Sequence, residues 1–301
     1  MCGIIGFLDR ESGGDGPLGA TLLKMLEALA CRGPDSAGVA MFGRKVPNRF
    51  VVQVKLGDNG VPPDRASRIS AIAESFGGCD FSRTGAYLRF AIQELPDIQS
   101  FVASVESIGR DVEVVSLGRR LEIVKQVGSP ANLERTFGVS ATRGRHGLGH
   151  TRLSTESIVD LSHSQPFWGH GYPDLAIVHN GHITNYHQLR RRYEQRGVRF
   201  YTENDSEIIA IYLAERLHGG LTLEEAFSRM IADLDGSYSC LAATESELGF
   251  IKDSFSLKPL VFAESDRFIA VATEEIAIRA ALGGEYEVRE AQAKEIRVWK
   301  Q

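Results

Sequence analysis

Met1-Cys2-Gly3-Ile4-Ile5-Gly6-Phe7-Leu8 opens the chain, and Asp9-Arg10-Glu11 ends the apolar run at once. Ile4–Leu8 reads as a first strand, bounded by the turn-rich Ser12-Gly13-Gly14-Asp15-Gly16-Pro17. Cys2 stands immediately ahead of that strand. A small residue behind the initiator lets Met1 be trimmed, and Cys2 then carries a thiol and a free α-amino group. The amino group has a reference pKa of about 7.7–8.0, so one residue supplies both a nucleophile and a general base. The plainer alternative is an early strand cysteine packed in a core, where free thiols often sit. On position alone the plainer reading is preferred, and the rest of the chain has to decide.

Working outward, 301 residues allow one large domain or two ordinary ones. Lys and Arg number 34 against 39 Asp and Glu, a formal charge of −5. The two signs are mixed along the chain, which leaves no electrostatic footprint for nucleic acid or an anionic membrane. A hydrophobic content of 43% with 24% charged residues is that of a globular protein. The N-terminal apolar run is too short for a signal peptide or a span, and no later run is long enough. Four cysteines, Cys2, Cys31, Cys79 and Cys240, form neither a disulfide framework nor a Cys-x-x-Cys zinc pair. These features imply a cytoplasmic protein with free thiols and no metal.

Leu18–Ala30 has helical periodicity, and Asn185–Arg196, Asp205–Leu217 and Leu223–Ile231 read as helices later in the chain. Strand-like runs recur at Val39–Phe42, Phe50–Leu56, Gly149–Leu153, Leu175–His179, Tyr238–Ala243, Leu248–Ile251, Leu260–Ala263 and Phe268–Val271. Arg32-Gly33-Pro34-Asp35-Ser36-Ala37-Gly38 between them reads as irregular. Residues from about 60 to 145 have their own alternation of helices and strands. Strands and helices that do not alternate strictly predict a mixed α+β layered fold rather than a doubly wound sheet. Neither a dinucleotide fingerprint nor a P-loop is present.

Four polar clusters sit at strand ends or turns. In Gly149-His150-Thr151-Arg152-Leu153-Ser154-Thr155, alternation directs Arg152 away from the face of Thr151 and Leu153. Its guanidinium suits a carboxylate, although a surface arginine fits equally well. Ala176-Ile177-Val178-His179-Asn180-Gly181 runs an apolar strand into Asn-Gly. An Asn amide and a Gly N–H can form an oxyanion hole, or the pair can make a hairpin turn. The helix that starts after Thr184-Asn185 weakens the hairpin reading. Thr202-Glu203-Asn204-Asp205-Ser206-Glu207 is either a helix cap or a carboxylate site for an ammonium group. The cluster Cys31–Gly38 is a structured turn in which Asp35 and Ser36 can bond local backbone.

Together, Met-Cys-Gly-Ile-Ile-Gly, Arg-Gly-Pro-Asp-Ser-Ala-Gly, His-Thr-Arg-Leu-Ser-Thr, His-Asn-Gly and Asn-Asp-Ser-Glu resemble the class II glutamine amidotransferases. These are N-terminal-nucleophile (Ntn) hydrolases, and the five motifs stand in the family's order, over residues 1–56 and about 147–275. The resemblance implies a four-layer αββα sandwich of two antiparallel sheets. It implies one domain over residues 2–301, with an inserted α+β segment at about 60–145. It makes Cys2 the nucleophile that forms a γ-glutamyl thioester, and Asn180 with Gly181 the oxyanion hole. Arg152 would bind the α-carboxylate of glutamine, Asp205 its α-ammonium, and Thr155 would line the pocket. Arg32 would support the loop beside Cys2.

Arg152-Leu153-Ser154-Thr155 is similar to the Arg-Phe-Ser-Thr form of glutamate synthases, while Glu156 stands where sugar-amidating relatives have His. The middle segment, with Asp111-Val112-Glu113-Val114-Val115, looks like standalone glutamate-synthase-like amidotransferase subunits, including the one found in N-methylglutamate synthase. The chain has no acceptor signature of its own. The resemblance therefore implies a glutaminase subunit that passes ammonia to a separate synthase subunit, with no cofactor in this chain and a flavin on the partner. The competing expectation is a glutamine-binding subunit that does not turn over.

Overall fold

The computed structural model describes residues 2–58, 60–154 and 158–300. Strands and helices are numbered along the chain. β1 (Gly3–Asp9) is buried at every position. A strand covered on both faces needs no polar alternation, which is why its sequence is a continuous apolar run. It pairs antiparallel with β8 (His146–Arg152) and β14 (Phe268–Ala272). β2 (Ser36–Phe42) and β7 (Leu121–Val127) continue beyond β8, and β13 (Val261–Glu264) and β15 (Arg289–Glu290) beyond β14, making seven strands.

A second sheet of five strands runs in the order β16 (Ile296–Lys300), β12 (Glu247–Lys252), β11 (Gly236–Ala243), β10 (Ala176–Ile183), β9 (Phe167–Trp168). The third has four strands: β4 (Cys79–Thr84), β5 (Tyr87–Gln93), β3 (Arg49–Lys55) and β6 (Glu113–Gly118).

Side-chain alternation assigns the layers. Ile4 and Leu8 of β1 meet Leu148, Val178, Leu241 and Phe250 in the core between the two larger sheets. Ile5 and Phe7 face the other way, among Leu22, Leu26 and Ile278. That outer layer is α1 (Leu18–Ala28), α4 (Pro130–Phe137) and α8 (Glu275–Ala281). On β10, Ile177 and Ile183 pack outward with Leu189, Ile209 and Phe227. These belong to α5 (Tyr186–Gln195), α6 (Asp205–His218) and α7 (Leu223–Asp233). Helix, sheet, sheet, helix is the αββα order. The four-stranded sheet, with α2 (Arg65–Ser75) and α3 (Ile98–Glu106), lies beside it and shares the inter-sheet core through Val52, Phe90 and Phe101.

Two local expectations are corrected. Ser36-Ala37-Gly38 is not irregular but begins β2, because β7 and β8 pair with it on both sides and tertiary pairing outweighs the Pro and Gly signals. Asn180-Gly181 does not end its strand either. β10 stays in register with β11 as far as Ile183 opposite Gly236. The edge strand β4 alternates only over Cys79-Asp80-Phe81-Ser82 and runs on into exposed Arg83 and Thr84, so its sequence announces it weakly.

Candidate functional site

The inter-sheet layer is apolar through the middle and turns polar at one end. Cys2 continues the phase of Ile4, Arg152 and His150 that of Leu148, and Asn180 that of Val178. The N-terminal end of β1, the C-terminal end of β8 and the last turns of β10 therefore direct these side chains into one space. It opens as a cleft of about 590 Å³ lined by Cys2, Arg152, Gln165, Asn180, Gly181 and Asp205, among others. Thr155 lies outside the described residues.

Each side chain is held from its own backbone outward. Cys2 Sγ lies 3.8 Å from the Leu153 carbonyl. Arg32 donates through Nε to the Cys2 carbonyl at 3.4 Å, and its Nη1 pairs with Glu274. That places Arg32 against the residue-2 backbone. Asp35 ties down the chain after β8: its Oδ2 accepts the Ser154 N–H at 2.7 Å, and its own N–H donates to the Arg152 carbonyl at 3.0 Å. Arg152 is only 4% exposed and donates to the Ile158 carbonyl at 2.9 Å. Burial draws its pKa below the usual arginine value, opposed by Cys2, Asp160 and Asp35.

The open edge of β10 carries the second half of the site. β9 pairs with β10 only at Ala176 and Ile177, so from Val178 onward that edge has no strand beside it among the described residues. The His179 N–H points to this edge and is accepted by Gln165 Oε1 at 2.6 Å. The Ile183 N–H does the same and is accepted by Asp205 Oδ2 at 2.8 Å. Alternate residues of a strand direct their N–H groups to one side, so the Gly181 N–H lies between these two and faces the cleft. Gly181 has φ +149°, and a Cβ there would fall 2.2 Å from the Ser237 carbonyl, so only glycine fits. Asn180 is 4% exposed, and its Nδ2 has no hydrogen-bond partner among the described residues. A buried amide donor left open is costly unless something else occupies its direction.

Asp205 opens α6, capped by Asn204, whose side chain accepts the Ser206 N–H at 3.0 Å. Its other neighbours are His179 Nδ1 at 3.8 Å and His182 Nδ1 at 3.6 Å. Burial lowers the His179 pKa against the pull of Asp205. Burial holds His150 at about 3, so its ring stays neutral near pH 7 and is a weak base. Glu207 is buried and accepts the N–H groups of Tyr201 and Thr202 at 2.8 and 2.9 Å, which folds the preceding loop back onto α6.

The four-stranded sheet reaches the site from two directions. Lys55 and Glu113, opposite each other on β3 and β6, both bond Ser162, in the segment between Ile158 and β9. Glu106 on α3 accepts the Tyr201 hydroxyl and the Val114 N–H, the latter at 2.9 Å.

Cys2, Arg32, Arg152, Asn180, Gly181 and Asp205 thus share one region. Sequence reading passed over Gln165 and the link from Ser206 to His179, and it expected Asp35 to bond local backbone where it in fact bonds the distant Ser154 and Arg152. A Gln-Pro pair directly before a short aromatic strand is the one available cue for Gln165, since proline cannot continue a ladder. Among the described residues no group of His, Cys, Asp and Glu is arranged to hold a metal, and no helix is long and apolar enough to cross a membrane.

The profile of the glutamine amidotransferase domain matches residues 150–280. A putative glutamine amidotransferase of Methanothermobacter thermautotrophicus is 34% identical, over 100% of both chains. The glutamine amidotransferase-like protein GlxB of Rhizobium meliloti is also 34% identical, over 91% of this chain and 89% of its own. Among solved structures, the glutamine phosphoribosylpyrophosphate amidotransferase of B. subtilis superposes with a TM-score of 0.63 at 20% identity. The match covers 99% of this chain and 47% of that longer one, and it speaks for a shared fold.

Proposed function

The chain belongs to the class II glutamine amidotransferases, and from that membership we propose that it is a glutaminase subunit supplying ammonia to a separate synthase subunit. The observation that carries the reading is the convergence of a thiol, a buried unpaired amide donor, a cation and a carboxylate on one cleft. Cys2 attacks the side-chain carbonyl carbon of glutamine. The oxyanion is received by Asn180 Nδ2 and the Gly181 N–H. Collapse expels ammonia and leaves a γ-glutamyl thioester, which water converts to glutamate and the free thiol. Arg152 and Asp205 hold the α-carboxylate and α-ammonium.

The proton removed from the thiol has to be returned to the leaving amine. The α-amino group of Cys2, on the same residue as the thiol, takes this role once Met1 is removed, and His150 is too weakly basic to compete with it.

Two features favour a separate acceptor. Every strand and helix of the described residues is used in the sandwich or the small sheet. Several large apolar side chains are exposed, among them Ile158 at 70%, which follows β8, and Phe255 and Leu257 at 68% and 73%, in the loop after β12. That loop starts at Asp253, which bonds Tyr238, the partner of Gly181. Apolar side chains exposed in loops offer a partner surface to cover where they lie together. The middle segment's resemblance makes the partner a flavin-dependent, glutamate-synthase-like subunit.

The test is mass spectrometry of the protein treated with a glutamine-analogue electrophile, alone and with co-purified partners. A covalent adduct on Cys2 of a chain lacking Met1, absent from Cys2→Ser, is expected. No adduct under either condition would leave a glutamine-binding subunit that does not turn over.

A further inference from the structure

We propose that Gln165 is a positioning residue for the oxyanion hole, its carboxamide standing in for the strand that β10 lacks beside Asn180-Gly181. The inference rests on the glutaminase reading and adds to it a residue that acts through the backbone of β10.

β9 stops pairing at Ile177, and the residue preceding it is Pro166, which has no N–H to offer a ladder. Gln165, 4% exposed, takes over with its side chain. Oε1 accepts the His179 N–H at 2.6 Å, and Nε2 donates to the His179 carbonyl at 3.0 Å. Both backbone groups of one residue are thus satisfied as a neighbouring strand would satisfy them. Nε2 also donates to Ser206 Oγ at 3.0 Å, which lies 2.8 Å from His179 Nδ1. One carboxamide therefore locks β10 to the first turn of α6.

The location of this lock gives it a role beyond stability. Gly181 is packed so closely against Ser237 and Tyr238 of β11 that no Cβ fits, while its other edge faces the cleft without a strand among the described residues. Gln165 fixes the strand two residues before it and Asp205 two residues after it. Between these clamps lie the two oxyanion donors. Gln165 is itself seated against β2, where a Cβ on Gly38 would fall 2.2 Å from the Gln165 carbonyl oxygen. The last glycine of Arg-Gly-Pro-Asp-Ser-Ala-Gly thereby gains a purpose: it lets the chain bearing the lock approach.

The test replaces Gln165 with Glu, which keeps an acceptor for the His179 N–H but has no N–H for the His179 carbonyl or Ser206. Two ligands are compared: glutamate, which needs only the anchors, and an aldehyde analogue of glutamine, whose adduct with Cys2 places an oxygen in the oxyanion hole. A displaced donor costs on the order of 100-fold in rate. We expect Q165E to lose kcat and aldehyde affinity together by about that factor, while glutamate affinity and the glutamine KM change less than about threefold. Equal losses for both ligands, or none for either, would overturn the proposal. Should Q165E not fold, Ser206→Ala removes one bond of the lock and is expected to lower the aldehyde-to-glutamate affinity ratio in the same direction; an unchanged ratio overturns the proposal. A wild-type protein that forms no aldehyde adduct would sink the glutaminase reading itself. Tight wild-type binding with an unaltered variant sinks only the role of Gln165.

Discussion

Asp205 Oδ2 accepts the Ile183 N–H at 2.8 Å, so the carboxylate proposed to hold the substrate's ammonium also fixes the strand carrying Gly181. Binding and chemistry are joined in one side chain, and two substitutions separate them. Asp205→Asn keeps an oxygen for Ile183 but removes the charge. A hydrogen bond to a charged group contributes about 1.5–3 kcal/mol, so KM for glutamine should rise roughly 10- to 100-fold with kcat changed much less. Asp205→Ala also releases Ile183 and should lower kcat. Steady-state glutaminase kinetics on both variants checks this, and similar kcat values for the two would refute the clamp.

Asn180→Ala removes a donor that has no partner among the described residues, so the fold loses little by its removal. Loss of one oxyanion donor costs about 100- to 1,000-fold in kcat. The expected result is that loss with glutamine KM and thermal midpoint nearly unchanged. A large drop in thermal midpoint would mean that the amide is structural.

Legibility in the sequence followed chemistry more closely than geometry. Cys2, Arg152 and Asp205 stand out because nucleophile, cation and anion are visible as residue types. Gln165 does not, because it acts through the backbone of His179, fourteen positions away in sequence, and a carboxamide carries no charge to mark it. Asn180-Gly181 reads as a strand end because Asn-Gly is a turn signal. Its continuation depends on β11, which local propensity cannot see. The αββα layering was available from the motifs together. The third sheet was less so, because its outer strand β4 is largely polar.

Glu106 binds the four-stranded sheet to the loop ahead of Asp205. Its carboxylate accepts the Val114 N–H and the Tyr201 hydroxyl, with His170 Nε2 at 3.3 Å. Glu106→Ala leaves the buried Val114 N–H and the half-buried Tyr201 hydroxyl without this acceptor, at about 1–3 kcal/mol for the first and less for the second. Stability in urea should fall by roughly 2–4 kcal/mol, and KM for glutamine should rise as the loop before Asp205 loosens. Tyr201→Phe should reproduce the KM effect with a smaller loss of stability. A KM unchanged in both variants would show that the sheet does not influence the site.

Buried imidazoles, those of His146, His150 and His179, make the fold acid-sensitive. Burial lowers His146 from 6.5 to about 4 and His150 from 6.5 to about 3. The folded pKa is the lower one, so as pH falls below about 6.5 the unfolded chain takes up protons that the folded chain refuses. The stabilisation is complete above that value and is lost progressively towards the folded pKa values. Each ring contributes a slope of about 1.4 kcal/mol per pH unit across its window. Asp174 and Glu207 act in the opposite sense, because burial raises their carboxyls. The comparison must therefore be between variants rather than on the wild type alone. Urea unfolding at about pH 7, 6 and 5 should show His150→Asn losing stability less steeply than wild type, by about one such slope. Parallel curves would mean that His150 titrates in the folded protein as it does in the unfolded chain, and that it could then take part in the proton transfer assigned here to the amino group of Cys2.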